Sequence, residues 1–336
     1  MKFRRLSALL CFLLAACNLP ALSGCARRDV LCVGLVTSYG GVDDHGLNQS
    51  AWEGVQQALD EGLIHRADFI ATVDARDRAK NIQTFLLDGY DLVVTVGLGL
   101  EEDTRLAADE WPNRGFVGVD QPPGEPRRNL AVVTFPEDQG GFLAGALAAL
   151  VTQTGKAAAL CETKGIHSMW RYCEGFRVGV HYANPDLRGR VMYKEDGSPS
   201  ELFNDPQWGE KQARYMLDQG VDILFAAGGG TAQAALETAA AGGAYVIGAD
   251  EDMYYQVKAS DFVLSSAVKL AGPAVYALIR QAVFERSLPG EKRGEYALGP
   301  YHSLERQVPP SVRERLEQIR AGLADGSIQT GVSSAP

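Results

Sequence analysis

Val30-Leu31-Cys32-Val33-Gly34-Leu35-Val36-Thr37 is an unbroken, largely β-branched apolar run. Across a Gly-rich loop it meets Ser50-Ala51-Trp52-Glu53-Gly54-Val55-Gln56-Gln57-Ala58-Leu59. The first stretch has the length of a buried strand. The second puts Ala51, Val55, Ala58 and Leu59 at i, i+4, i+7 and i+8, one face of a helix that reads on to Leu63. The same alternation runs on through strands at Phe69–Val73, Leu92–Gly97, Gly115–Asp120 and Ala131–Phe135, interleaved with helices at Asp77–Asp88, Glu101–Glu110 and Glu137–Thr152. After Gly155 it restarts, with strands at Ala157–Cys161, Gly189–Tyr193, Asp222–Ala227, Ala244–Ala249 and Phe262–Ser266. Helices fall at Trp170–Tyr182, Pro206–Gln219, Ala232–Ala241, Gly272–Glu285 and Ser311–Ala324. Strand–helix alternation predicts α/β lobes with mainly parallel sheets buried on both faces and right-handed crossovers. Two such runs predict two lobes. The expected boundaries put 30–134 plus 262–290 in lobe 1 and 135–261 plus 291–330 in lobe 2. The chain then crosses near 135, 262 and 291, and 331–336 forms a disordered tail.

The start of the chain predicts where this body works. Met1-Lys2-Phe3-Arg4-Arg5, an apolar stretch near Leu6–Ala16 and small residues at 22–24 read as a secretory signal peptide over 1–24. Asn18 and Pro20 interrupt the apolar run well short of the ~20 residues a membrane span needs. Leu22-Ser23-Gly24-Cys25 resembles a bacterial lipobox, which implies cleavage before Cys25, diacylglycerol on its thiol and a tether over 25–29. About 310 residues then remain, enough for two packed cores. Loss of Lys2, Arg4 and Arg5 takes the formal charge from −10 to −13. So acidic a body argues against nucleic acid and against an electrostatic grip on anionic lipid, leaving the anchor as the membrane contact.

Cys11 and Cys17 lie in the leader. Cys32, Cys161 and Cys173 stand at no zinc-ligand spacing. Cys161 and Cys173 allow either a disulfide or two small buried hydrophobes, and the second reading is preferred. Asp43-Asp44-His45 is a poor metal site because adjacent residues rarely converge on one ion. Gly228-Gly229-Gly230-Thr231 lacks the Lys-Ser/Thr pair of a phosphate loop, and no G-x-S-x-G elbow is present. No metal, no cofactor and no catalytic residue is expected.

Ligands in open α/β sheets bind beyond the carboxyl ends of the strands, so the loops there carry the function. The first of them, Thr37-Ser38-Tyr39-Gly40-Gly41-Val42-Asp43-Asp44-His45-Gly46-Leu47-Asn48-Gln49-Ser50-Ala51-Trp52-Glu53-Gly54, resembles the basic-membrane-protein family of bacterial substrate-binding lipoproteins. So do Phe142-Leu143-Ala144-Gly145, Glu174-Gly175-Phe176, Phe203-Asn204-Asp205-Pro206, Gly248-Ala249-Asp250-Glu251-Asp252 and Ser265-Ser266-Ala267-Val268-Lys269, in the family's order. The resemblance implies a type I periplasmic-binding-protein fold, two lobes joined by a hinge, that captures a nucleoside-like ligand and delivers it to an ABC permease as a monomer. It implies that Asp250 and Lys269 hold the sugar, that Phe203 stacks on the base and that Asp120 contacts the ligand. Physically, a carboxylate can accept both hydroxyls of a vicinal diol while a lysine balances its charge.

Ser38 stands where relatives carry an aspartate that reads the base, and Leu47 replaces a stacking phenylalanine. Both departures fall on the base half of the site and leave purine preference open. Asn48, Gly97 and Gly229 complete the candidate contacts. Asp44 or Asp43 is expected to cap the following helix, and His45 to be an exposed loop residue. Trp170 and Tyr172 suit either cleft cover or helix packing. A sensor lipoprotein presenting its solute to a membrane receptor, or a hydrolase on the same scaffold, are the alternatives; the second lacks a nucleophile.

Overall fold

The computed structural model describes residues 24–26, 30–37, 40–195, 201–288 and 290–336. The expected signal peptide up to residue 23, residues 27–29 of the expected tether, and Ser38 lie outside them. The first sheet holds β1 (Cys32–Thr37), β2 (Arg66–Ile70), β3 (Leu92–Val96), β4 (Gly115–Val119), β5 (Leu130–Thr134) and β11 (Glu291–Arg293), in the order β11-β5-β4-β3-β1-β2. The second holds β6 (Ala157–Cys161), β7 (Arg190–Tyr193), β8 (Ile223–Ala227), β9 (Tyr245–Asp250), β10 (Val263–Leu270) and β12 (Glu295–Leu298), in the order β12-β10-β9-β8-β6-β7. Every pairing is parallel except β10 with β12. Strand order reverses between β1 and β3 and between β6 and β8. The loops after these strands therefore diverge and open a crevice in each lobe.

The helices are α1 (Leu47–Asp60), α2 (Arg78–Leu87), α3 (Glu101–Glu110), α4 (Glu137–Val151), α5 (His167–Ala183), α6 (Pro206–Asp218), α7 (Gly229–Ala241), α8 (Gly272–Glu285) and α9 (Pro310–Asp325). They cover both faces of each sheet, so β1, β3, β6 and β8 are buried along their full length. Among the described residues no helix is long and apolar enough to cross a membrane.

The lobe boundaries differ from the sequence expectation. β10 pairs with β9, Val268 opposite Asp250, so residues 263–270 belong to the second lobe and the chain crosses after Leu270 rather than near 262. α8 then packs on α1 in the first lobe, where Ser50 Oγ accepts from the Ala271 and Gly272 amides at 3.0 Å each. β11 joins the first sheet beside β5, and Gly294 marks the return, its N–H donating to Thr134 O at 2.8 Å. β11 is three polar residues long and gave no apolar run to read. Residues 331–336 were expected to be disordered, yet Trp170 Nε1 donates to Ser333 Oγ at 3.3 Å and Thr330 Oγ1 to Asp138 at 2.5 Å, which holds the segment on the second lobe. Cys161 and Cys173 are bonded to each other, a correction to the preferred reading of two free thiols. Cys25 is bonded to Cys32.

The second lobe is built on α4 and α5. α4 is apolar all round because α5, α9, β10 and β12 enclose it. Its Gly141 and Gly145 face α5, and Gly175 and Gly179 of α5 face α4. A Cβ at any of the four would lie 2.0–2.2 Å from a backbone oxygen of the other helix. The two backbones thus pack in direct contact, which side chains would prevent. Gly145→Ala is expected to destabilise the protein by about 1–3 kcal/mol through overpacking, despite alanine's better helix propensity. Chemical denaturation should show this as a lower midpoint; an unchanged or raised midpoint would refute the close-contact account.

Candidate functional site

Asp120 follows β4 directly and Asp250 ends β9, so each carboxylate projects from a strand's carboxyl end, one per lobe. Both residues have positive φ, 58° and 70°, a conformation Asp tolerates better than most side chains. Lys269, near the end of β10, is buried between them. Its Nζ donates to Asp120 Oδ1 and Oδ2 at 3.0 and 2.9 Å and lies 3.0 Å from Asp250 Oδ1. Burial alone would depress the ammonium, but the Asp120 and Asp250 carboxylates hold it well above the ordinary lysine range. Asp250 and Lys269, expected at the sugar, and Asp120, expected at the ligand, are therefore one ion cluster bridging the lobes. The Phe135 ring lies 5.5 Å from Nζ. Glu137 is buried nearby, and its carboxyl is pushed up by that burial against the pull of Lys269 and Arg171.

The cluster has two members that the sequence reading missed. Tyr172 OH donates to Asp250 Oδ1 at 2.5 Å, and Tyr296 OH lies 2.5 Å from Tyr172 OH. Tyr172 had been weighed for cleft cover or helix packing; it is fully buried and reaches the site with its hydroxyl alone. Tyr296 lies on a four-residue strand that carries no recognisable pattern.

Phe203 also has a left-handed backbone, φ 62°. For a bulky aromatic this costs ~1–3 kcal/mol and persists only where its surroundings fix it. Glu162, just past β6, accepts the Phe203 N–H at 3.3 Å. Gly229 lies beneath, where a Cβ would come within 2.8 Å of Phe203 O and 3.0 Å of Phe203 Cβ. Under this loop Lys194 is buried between Glu162 at 3.8 Å and Asp205 at 3.6 Å, an ion pair that had no sequence signal beyond its place at strand ends. Gly97, after β3, takes φ 100° and its carbonyl accepts from Gln121 Nε2 at 3.2 Å, next to Asp120. Leu47 opens α1 half-buried, and Asn48 is buried behind it. Asp44 caps this helix start, accepting the amides of Gly46, Asn48 and Gln49 at 2.9–3.1 Å. A separate cavity of about 700 Å³, lined in part by Leu31, Leu92, Arg114 and Ile279, lies at the opposite strand ends of the first lobe and touches none of these residues.

The two lobes also meet at the first loop. His45, exposed as expected, stacks on Tyr255 with ring centroids 3.7 Å apart, and its carbonyl accepts from Asp252 N at 3.0 Å. Gly46 abuts Glu251, whose Cβ lies 2.6 Å from where a Gly46 Cβ would stand. His302 in turn pairs with Asp252 at 2.7 Å and stacks on Tyr254.

Two parallel-sheet lobes, crossed three times by the chain and joined by charged residues at the strand ends of both, define a solute-binding protein of the type I periplasmic fold. The ABC transporter solute-binding protein from Conexibacter woesei shares this fold, with a TM-score of 0.71 at 22% identity over 89% of this chain and 98% of that one. Residues 32–298 match the family described as ABC transporter substrate-binding protein PnrA-like, and the chain belongs to that family of binding proteins. It is 27% identical over 319 residues to the CD4+ T-cell-stimulating antigen of Listeria monocytogenes, covering 88% of this chain and 87% of that one. It is 28% identical over 292 residues to the ABC transporter nucleoside-binding protein BmpA of Lactococcus lactis, covering 78% and 80%.

Glu251 gives this contact a pH dependence. Burial, then the Asp44 and Asp250 carboxylates, push its carboxyl from the ordinary 4.5 up to about 7. Asp44, His45, Asp250, Asp252, Tyr254, Tyr255 and His302 are further ionisable groups around it. Separation of the lobes returns Glu251 to water, so the apposed state binds more protons. Apposition is therefore most favoured below about pH 4.5, weakens as pH rises towards 7 and levels off above. Small-angle scattering of the ligand-free protein should show a more compact molecule at pH 5 than at pH 8, and Glu251→Gln should abolish the difference. Retention of the full difference in that variant would assign it to another group.

Proposed function

We propose that this protein is a lipid-anchored receptor outside the cytoplasm that closes its two lobes on a nucleoside-like solute and hands it to an ABC permease. The observation that carries this reading is the convergence of Asp120, Asp250 and Lys269 from both lobes on one point. A ligand that replaces part of this cluster contacts both lobes at once and favours the apposed state by its differential affinity for it. The carboxylates and ammonium suit hydroxyl groups, and Phe203, held over Gly229, suits the face of a ring. The similarity to the nucleoside-binding protein of Lactococcus lactis supports a nucleoside as the class. Ser38, which lies outside the described residues, and the aliphatic Leu47 are where this chain's choice of base departs from its family.

The tether is part of the same proposal. A Cys25 sulfur that carries diacylglycerol cannot also be bonded to Cys32, so the disulfide belongs to the unlipidated chain, and the lipoprotein keeps Cys32 as a buried thiol. The protein acts as a monomer.

A thermal-shift panel of nucleosides, bases and sugars tests the ligand class. At 100 times its dissociation constant a true ligand adds ~2.7 kcal/mol, which raises the melting temperature by several degrees. No response to any nucleoside would refute the class. Asp250→Ala is expected to weaken binding by about 1.5–3 kcal/mol, roughly 10–150-fold, read by calorimetry. Unaltered affinity would place Asp250 outside the site. Cys25→Ser should move the protein from the membrane to the soluble fraction, and continued partitioning with lipid would remove the anchor.

A further inference from the structure

The two oxygens of Asp250 are not equivalent. Oδ1 accepts from Tyr172 OH at 2.5 Å and lies 3.0 Å from Lys269 Nζ. Oδ2 has no hydrogen-bond partner among the described residues, and the side chain is 44% exposed towards the space between the lobes. Lys269 has its own donors committed to Asp120 and Asp250. A carboxylate free to rotate part-way about its broad terminal torsion could set both oxygens towards a ligand diol. Here Tyr172 removes the freedom.

Tyr172 cannot yield easily. Its ring is fully buried, lies edge-on to Tyr296 at 5.9 Å and sits 5.9 Å from Phe225. Its own carbonyl is in the contact where α4 and α5 meet at Gly141. Because Tyr172 donates to Asp250, the remaining contact requires Tyr296 to donate to Tyr172. Tyr296 stands two residues after Gly294, which is bonded to Thr134 at the crossing between lobes. A hydrogen-bonded line therefore runs from the hinge through both phenols to Oδ1.

We propose that Tyr172 is a positioning residue that fixes the Asp250 carboxylate so that the site reads one ligand hydroxyl through Oδ2, with Tyr296 supporting it from the hinge. The inference rests on the reading of Asp250 as a ligand contact. It also revises the expectation that both oxygens accept a vicinal diol: one of two neighbouring hydroxyls carries the selectivity, and the other contributes little.

The test uses calorimetry on the purified protein with inosine, guanosine and uridine, the 2′-deoxy and 3′-deoxy forms of whichever binds most tightly, and D-ribose. In the unaltered protein one deoxy form should bind at least tenfold more weakly than the parent and the other within threefold. Tyr172→Phe should weaken the parent about tenfold and bring the two deoxy forms within threefold of each other, because the carboxylate can then turn. Tyr296→Phe keeps the Tyr172 hydroxyl and should narrow the split by a smaller factor; it decides the matter if Tyr172→Phe does not fold. A split that survives in both variants overturns the positioning role while leaving the ligand class intact. An unaltered protein that binds neither nucleosides nor ribose overturns the ligand class and the positioning role together.

Discussion

The architecture turns on one buried ammonium. Removing Lys269 from water is costly, and the structure offsets this by aiming a carboxylate at it from each lobe. To do so, the chain leaves β4 and β9 through left-handed residues at Asp120 and Asp250. Without the cation, the two carboxylates would repel across the hinge. With it, they hold the lobes in register at the point where three segments cross. The ion cluster is thus a structural tie between the lobes.

The packing behind that cluster explains why it is rigid. The close approach of α4 and α5 places Tyr172 without slack, and Tyr296 arrives from the returning hinge strand to complete its hydrogen bonding. Phe203 is fixed by different means, a Glu162 acceptor above a buried Lys194 and a glycine below, yet it too is held in a conformation its side chain disfavours. Asp250 and Phe203 both store local strain, and in each case a buried charged side chain maintains it. At the mouth, stacking of His45 on Tyr255 supplies a weaker contact that solvent can reach.

Much of this was legible in the sequence because strand–helix alternation is a local pattern. The strands through β9 and all nine helices among the described residues fall within a few residues of where periodicity put them. Asp120 and Asp250 stood at the ends of apolar runs, the family resemblance singled them out together with Lys269, and Asp44 stood before a helical face. What was not legible depends on long-range pairing. Nothing in Phe262–Lys269 states which sheet receives it, and Glu291–Arg293 is too short and polar to announce a strand. Tyr296 becomes significant only when β12 closes against β10. Tyr172 suited cleft cover and helix packing equally; its ring is core, and its hydroxyl alone reaches Asp250. The cysteine pairing also rested on three-dimensional distance, since Cys161 and Cys173 lie on different elements.

That covalent link has a wider effect. It closes a ring from the end of β6 to the second turn of α5, and the chain-entropy argument assigns a loop of this size about 3 kcal/mol. Glu162, which steadies the aromatic platform, and Tyr172, which steadies the carboxylate, both lie inside the ring. The two supports therefore share one ring closure, and loss of the disulfide loosens the constraint on both at once.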